Sequence, residues 1–289
     1  MPGQLKEVRN RIMSVQNTQQ ITKAMKMVSA AKLRRATDRI VQMRPYANKL
    51  NEIMSNIASG VNMALAKDRE VKKVLLVVVT SDRGLAGGFN SNIVKLAKQT
   101  IVEKFSAQAK AGKLTILPVG KKALDAFRRL SHPVNTEFAQ LFHTLDFEHS
   151  SKAVEWLMQQ YINQDFDMIE IVYSQFKNAA TQILSVERFL PVLKSSSGKG
   201  KRTIDFIFEP EQEELVNDLV PKILKTQFFK VLLDSNASEH GARMTAMDKA
   251  TENANEILRE LKIKYNRARQ AAITTELTEI VSGAAALQG

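Results

Sequence analysis

The chain has 289 residues, 44% hydrophobic and 25% charged, enough for one moderate core and a long solvated or partner-covered rod besides. Its formal net charge is +12 at pH 7, and it contains no cysteine, which excludes disulfides, thiolate metal sites and a cysteine nucleophile. The opening MPGQLKEVRNRI lacks the apolar run of a signal peptide, and Val74 to Val79 is too short to cross a bilayer; the expectation is an intracellular soluble chain with no direct membrane insertion.

Residues 1–61 are read as an N-terminal coiled-coil helix. Leu5, Val8, Ile12 and Val15 recur at three- and four-residue steps. Ile21, Met25 and Val28 continue the stripe more loosely, and Ile40, Met43, Ala47, Leu50, Met54, Ile57 and Val61 resume it. An unbroken helix from Gln4 to Val61 would be about 85 Å long, so the expectation is part rod and part globule. Pro45 interrupts the backbone pattern but not the apolar phase, which predicts a kink there without an end. Residues 1–57 carry eleven Lys and Arg against three Asp and Glu, whereas residues 239–289 balance at seven each, so much of the excess charge sits on the first helix.

Residues 71–208 are read as a central α/β domain. Val74–Thr80, Leu114–Val119, Met168–Tyr173, Gln182–Phe189 and Thr203–Phe208 have strand character, and helices fit at Asn90–Phe105, Lys121–Leu130 and Glu148–Ile162. That alternation predicts a Rossmann-like domain with a mostly parallel sheet. Asp165 and Asp167 read as a polar turn before the third strand, and Lys194 to Arg202 as an exposed loop.

Residues 210–289 are read as a C-terminal coiled-coil helix. Pro210, with Glu211, Glu213 and Glu214, has the composition of a helix start. Met247, Ala250, Ala254, Leu258, Leu261, Tyr265, Ala268, Ala272 and Thr275 form a seam of small and apolar residues that permits close helix approach. Pro221 and the polar run Asp234 to Gly241 leave open whether one helix or two reaches the C-terminus.

Chemistry-bearing motifs are few. The turn SDRGLAGGFN, Ser81 to Asn90, follows a buried strand and precedes a helix, a setting in which backbone N–H groups can cradle phosphate. Gly84, Gly87 and Gly88 nevertheless match neither G-x-G-x-x-G nor G-x-x-x-x-G-K-[ST], and the pairs at Gly112, Gly120 and Gly198 fail the same test, which favours a structural turn. His132, His143, His149 and His240 lack ligand spacing, and no nucleophile elbow is present. No catalytic, cofactor-binding or metal-binding residue is assigned. The basic first helix could bind nucleic acid, but it lacks interleaved aromatics and any nucleic-acid motif, and an acidic protein partner accounts for the charge equally well.

Three separated segments carry a resemblance. VRNRIMSVQNTQQITKAMKMVSAAKLRRA (Val8 to Ala36), SDRGLAGG, and YNRARQAAITTELTEIVSGAAAL (Tyr265 to Leu287) closely resemble the gamma subunit of F-type ATP synthase. The resemblance implies a long antiparallel coiled coil of the N- and C-terminal helices, standing inside a ring of three alpha and three beta subunits. The α/β domain would lie near the epsilon subunit and the membrane rotor c-ring. It implies a central rotor shaft that couples proton flow to ATP synthesis or hydrolysis on the beta subunits, with no active site of its own, peripheral to the cytoplasmic face of a bacterial plasma (inner) membrane. Carried over residue by residue, Arg269, Gln270, Thr274 and Glu276 would meet a beta-subunit loop, and Ile280 to Leu287 an apolar bearing. Lys23, Lys26, Lys32, Arg34, Arg35 and Arg243 would face acidic beta segments. The cysteine-bearing insertion of chloroplast members is missing. Two rival readings are a basic coiled-coil nucleic-acid-binding protein and a nucleotide-binding enzyme built on the glycine turn.

Overall fold

The computed structural model describes residues 2–57, 64–66, 69–130, 132–192 and 212–288, so the expected strand Thr203–Phe208, the loop Lys194–Arg202, Val61, Pro210 and Glu211 lie outside the described residues. The chain divides into two compact units, residues 1–29 with 244–289 and residues 30–243. Two helices enter both: α1, Pro2–Ile57, and α6, Gln212–Gln288.

The larger unit is built on a four-stranded sheet. Its strands are β1, Val74–Val79; β2, Leu114–Val119; β3, Met168–Phe176; and β4, Gln182–Leu190. The spatial order is β2-β1-β3-β4, with the first three parallel and β4 antiparallel to β3. Between the strands run α2, Phe89–Lys104; α3, Ser106–Lys110; α4, Lys121–Phe127; and α5, Phe147–Ile162. The expectation of a mostly parallel α/β sheet is met. The short α3 was not expected; five residues with no buried side chain leave no apolar period to read.

β1 explains why VLLVVV is apolar without alternation. It lies centrally and is buried on both faces. Leu75, Val77 and Val79 enter one core with Ala153, Val154, Leu157 and Tyr161 of α5 and Leu224, Phe228 and Leu232 of α6. Val74, Leu76 and Val78 enter the other, with Phe89, Ile93, Ala97 and Ile101 of α2 and Phe127 of α4. Successive side chains on a strand point to opposite faces, so six consecutive residues hold two layers together. Asp167 receives the N–H groups of Lys72 and Lys73 at 3.0 and 2.9 Å, which makes the expected polar turn a fastening for the start of β1.

Neither proline ends its helix. α1 runs through Pro45 and α6 through Pro221, and the run Asp234 to Gly241 is helical, so one helix reaches the C-terminus. Pro45 and Val41 are both exposed, which lets water take the carbonyl that a proline leaves without a donor. From Val220 to Arg243, α6 is buried on most sides: Ser235, Ser238 and Ala237 face protein as completely as Leu232 does. Helix-breaking local preferences there are overridden by packing. A Cβ on Gly241 would meet the Ala179 carbonyl oxygen at 3.1 Å, so glycine lets the β3–β4 turn lie close against α6.

Asp234, 1% exposed, is the costly residue of this helix. Burial drives its carboxyl up to about 6, opposed by Lys230 on α6, Arg44 on α1 and the Phe176 N–H, and aided by Glu187 on β4. Its Oδ1 has no partner among the described residues. Nearby, Tyr173 donates to Glu187 at 2.6 Å, and burial raises the phenol far above its ordinary range.

Two outcomes follow from this packing. Gly120 has φ +101°, and a Cβ there would lie 2.3 Å from the Thr80 carbonyl oxygen; Gly120→Ala should therefore cost about 2–4 kcal/mol, read as a lowered urea midpoint. Because the folded carboxyl of Asp234 titrates above its unfolded value of 3.8, its penalty is full above pH 6 and fades as pH falls toward 4. Asp234→Asn should stabilise the unit by up to about 3 kcal/mol at pH 8 and by little at pH 4, measured as paired denaturation curves.

Candidate functional site

The smaller unit is made from the two chain ends. Within it α1 and α6 run antiparallel, and the register is set by polar rungs across the seam. The Gln19 amide donates to the Asn255 side-chain carbonyl, Thr22 and Thr251 share a hydroxyl hydrogen bond of 2.8 Å, and Lys26 Nζ lies 2.5 Å from Asp248 Oδ1. Seven residues up α1, from Gln19 to Lys26, are matched by seven down α6, from Asn255 to Asp248. Both threonine hydroxyls also lie within bonding distance of a carbonyl of their own helix, Gln19 O at 3.0 Å and Met247 O at 2.8 Å.

This corrects the expected middle of the seam. Ile21 and Val28 are 60% and 56% exposed, while Thr22 and Ser29 are 8% and 3% exposed. The facing positions are therefore Gln19, Thr22, Lys26 and Ser29, one residue away in phase from two of the apolar residues assigned to them. Apolar periodicity names the wrong face where polar side chains find partners more than two hundred residues away. On the C-terminal side the expected seam holds: Met247, Ala254, Leu258 and Leu261 are buried, and Tyr265, Ala268, Ala272 and Thr275 are half-buried. Toward the other end Leu5, Val8, Ile12 and Val15 are half-buried as well.

Carried on in the same register, Leu5 stands opposite Ala268, and α1 runs out opposite about Ala272. The last four turns of α6 have no counterpart in α1. Ile273, Leu277, Ile280 and Val281 are 48%, 57%, 66% and 67% exposed, an uncovered apolar end beside exposed Arg269, Gln270, Thr274 and Glu276. Thr274 spends its hydroxyl on the Gln270 carbonyl at 2.9 Å.

The ten sequence-assigned residues fall in both units. Lys23, Lys26, Arg269, Gln270, Thr274 and Glu276 belong to the smaller, and Lys32, Arg34, Arg35 and Arg243 to the larger. Lys23, Lys32, Arg34 and Arg35 are exposed, while Lys26 is half-buried and paired with Asp248. Arg243 is turned inward at 8% exposure, with its guanidinium on Glu239 and on the carbonyls of the glycine turn. That turn presents carbonyl oxygens to a buried cation, the opposite polarity from a phosphate cradle. Among the described residues no cluster of His, Asp and Glu could hold a metal, and no helix is long and apolar enough to cross a membrane.

A sequence model of a family described as ATP synthase matches residues 4–287. The ATP synthase gamma chain of Cytophaga hutchinsonii is 55% identical over 99% of each chain, and that of Christiangramia forsetii 50% identical over 99% of each. Among solved structures, a chain of the Euglena gracilis mitochondrial ATP synthase OSCP/F1/c-ring assembly superposes with a TM-score of 0.72 at 24% identity, covering 99% of this chain and 95% of that one. A chain of the Tetrahymena thermophila mitochondrial ATP synthase central stalk and c-ring gives 0.57 at 27% identity, covering 80% of this chain and 99% of that one.

The polar rungs predict a measurable coupling. Thr22→Val or Thr251→Val alone leaves a half-buried hydroxyl without its cross-helix partner and should cost about 1–2 kcal/mol, whereas the double substitution should cost less than the two together. Denaturation midpoints of the four chains in a double-mutant cycle check this.

Proposed function

We propose, from the premise that this chain belongs to the ATP synthase gamma-chain family, that it is the central rotor shaft of an F-type ATP synthase. The observation that carries the reading is the antiparallel pairing of the two chain ends into one register, with the last turns of α6 left over as an exposed apolar end. A paired helix of this kind presents different side chains in every direction. Each beta subunit of a surrounding ring therefore meets a different face as the shaft turns.

Thermodynamics limits what such a shaft does. A partner shifts a conformational equilibrium only by its difference in contact free energy between the states. Each tenfold change in nucleotide affinity at a beta site needs about 1.4 kcal/mol of such difference. Exposed ion pairs supply below about 1 kcal/mol each, so the effect is summed over many contacts. Lys23, Lys26, Lys32, Arg34 and Arg35 are the basic contributors facing acidic beta segments. Lys26 shares its charge with Asp248 and contributes less than the others. Arg269, Gln270, Thr274 and Glu276 meet a beta-subunit loop, and Ile280 to Leu287 seat in an apolar bearing.

The gamma chain is a non-catalytic subunit: bond making belongs to the beta subunits, and this chain holds no active site of its own. Its partners are three alpha and three beta subunits, the epsilon subunit and the c-ring, whose ion-driven turning it carries. It is peripheral to the membrane, on the cytoplasmic face of a bacterial plasma (inner) membrane.

Co-purification with mass spectrometry tests the assembly: alpha and beta subunits should accompany the tagged chain, and the chain alone should hydrolyse no ATP. Truncation after Tyr265 should cut ion-driven ATP synthesis about tenfold or more while leaving β1 and β3 amide protection intact. Unchanged synthesis in the truncated complex would remove the role given to the end of α6.

A further inference from the structure

The glycine-rich turn between β1 and α2 is a motif that shaft geometry alone leaves unused, and its hydrogen bonds show what holds it. Within the turn the Ser81 N–H donates to Asn90 Oδ1 at 3.0 Å, and the Ser81 hydroxyl donates to the Arg83 carbonyl at 2.7 Å. Asp82 reaches the other way, accepting the Lys121 N–H at the start of α4 at 2.9 Å, with His143 Nε2 3.7 Å from its carboxylate. The carbonyls of Arg83 and Gly84 face α6. There a single nitrogen, Arg243 Nη2, donates to both at 3.2 Å. The other arm of the guanidinium, Nη1, donates to Glu239 one helical turn back, and both side chains are about nine-tenths buried.

This arrangement requires arginine. A planar fork with five N–H donors can serve two backbone carbonyls and a carboxylate at once, while an ammonium ion offers a compact point of charge and no fork. The surroundings keep the pair matched. Burial raises the Glu239 carboxyl, aided by Asp82, and Arg243 and Lys32 pull it down. His240 next in sequence is driven down to about 4 by burial, Arg243 and Lys32, so it stays neutral and adds no competing charge. Gly241, between the pair, is where the β3–β4 turn lies against the helix. Residues 239–243 of α6 are thereby gripped from two loops of the sheet.

We propose that Arg243, with Glu239, is a clasp that fastens the glycine turn to α6 and so positions the α/β unit on the helix it must drive. Arg243 is a positioning residue for coupling, and this assignment replaces the outward contact expected of it from sequence. The proposal rests on the rotor reading. Turning force delivered to the sheet unit passes into α6 through this clasp, and a slack turn absorbs part of it as local opening.

The test uses the complete ATP synthase complex carrying Arg243→Lys, which keeps the charge and loses the fork, beside Arg243→Met. Amides of residues 81–88 should exchange about tenfold faster, those of β1 should be unchanged, and the ratio of ion-driven ATP synthesis to ATP hydrolysis should fall about threefold or more. Unchanged exchange in the turn with Arg243→Lys would overturn the clasp. Faster exchange with an unchanged ratio would overturn the positioning role. Should Arg243→Met fail to enter the complex, Arg243→Lys carries both readouts. Failure of the rotor reading itself looks different, since the unsubstituted chain would then not accompany alpha and beta subunits.

Discussion

The register between the two ends of the chain is the constraint on which the rest depends. A seam of alanine, leucine and methionine is favourable at many offsets, because apolar burial has no direction. Hydrogen bonds do. The rungs Gln19 to Asn255, Thr22 to Thr251 and Lys26 to Asp248 are satisfied at one offset, and sliding by a turn would leave hydroxyl and amide groups facing apolar side chains. That offset fixes how much of α6 stands beyond the end of α1, and hence how much apolar surface is left for a partner.

α6 performs two jobs by changing character along its length. Around Val220 to Arg243 it is a core helix, buried on most sides against the sheet and its covering helices. From Met247 to Thr275 it narrows to a stripe, with buried positions three and four residues apart and exposed charge between them. The first part pays heavily in polar burial: Asp234, Ser235, Ser238, Glu239 and Arg243 are all within it. Glu239 and Arg243 offset that cost by pairing, whereas Asp234 offsets it only in part and shifts its titration instead. A rotor shaft needs no reactive group, and the buried Glu239–Arg243 pair instead holds the carbonyls of the glycine turn.

The charged residues divide by depth in the same way. Lys23, Lys32, Arg34 and Arg35 are exposed, where single ion pairs are weak and are screened by salt. Arg243 is deep, and removing a buried partner leaves the other charge unpaired. Exposed cations of this kind are available to a partner at little cost, whereas the buried Arg243 is committed to Glu239 and the turn carbonyls.

Local order was legible from sequence wherever one residue class repeats at one period. VLLVVV and LTILPV announce buried strands, β2 has the expected bounds, and the main sheet helices start and stop within a few residues of expectation. The glycine spacing already favoured a structural turn over a phosphate loop. Tertiary structure alone decided the rest. Whether Pro221 and Asp234 to Gly241 break a helix depends on packing energy that local propensity does not contain. That Thr22 and Ser29, and not Ile21 and Val28, face the partner depends on side chains across the seam. Arg243 reads as one more exposed cation until the turn carbonyls of residues 83 and 84 are brought beside it. A periodic pattern reports how apolar each face of a helix is; which polar groups are satisfied is a property of pairs, and the pairs here join residues more than one hundred and fifty positions apart.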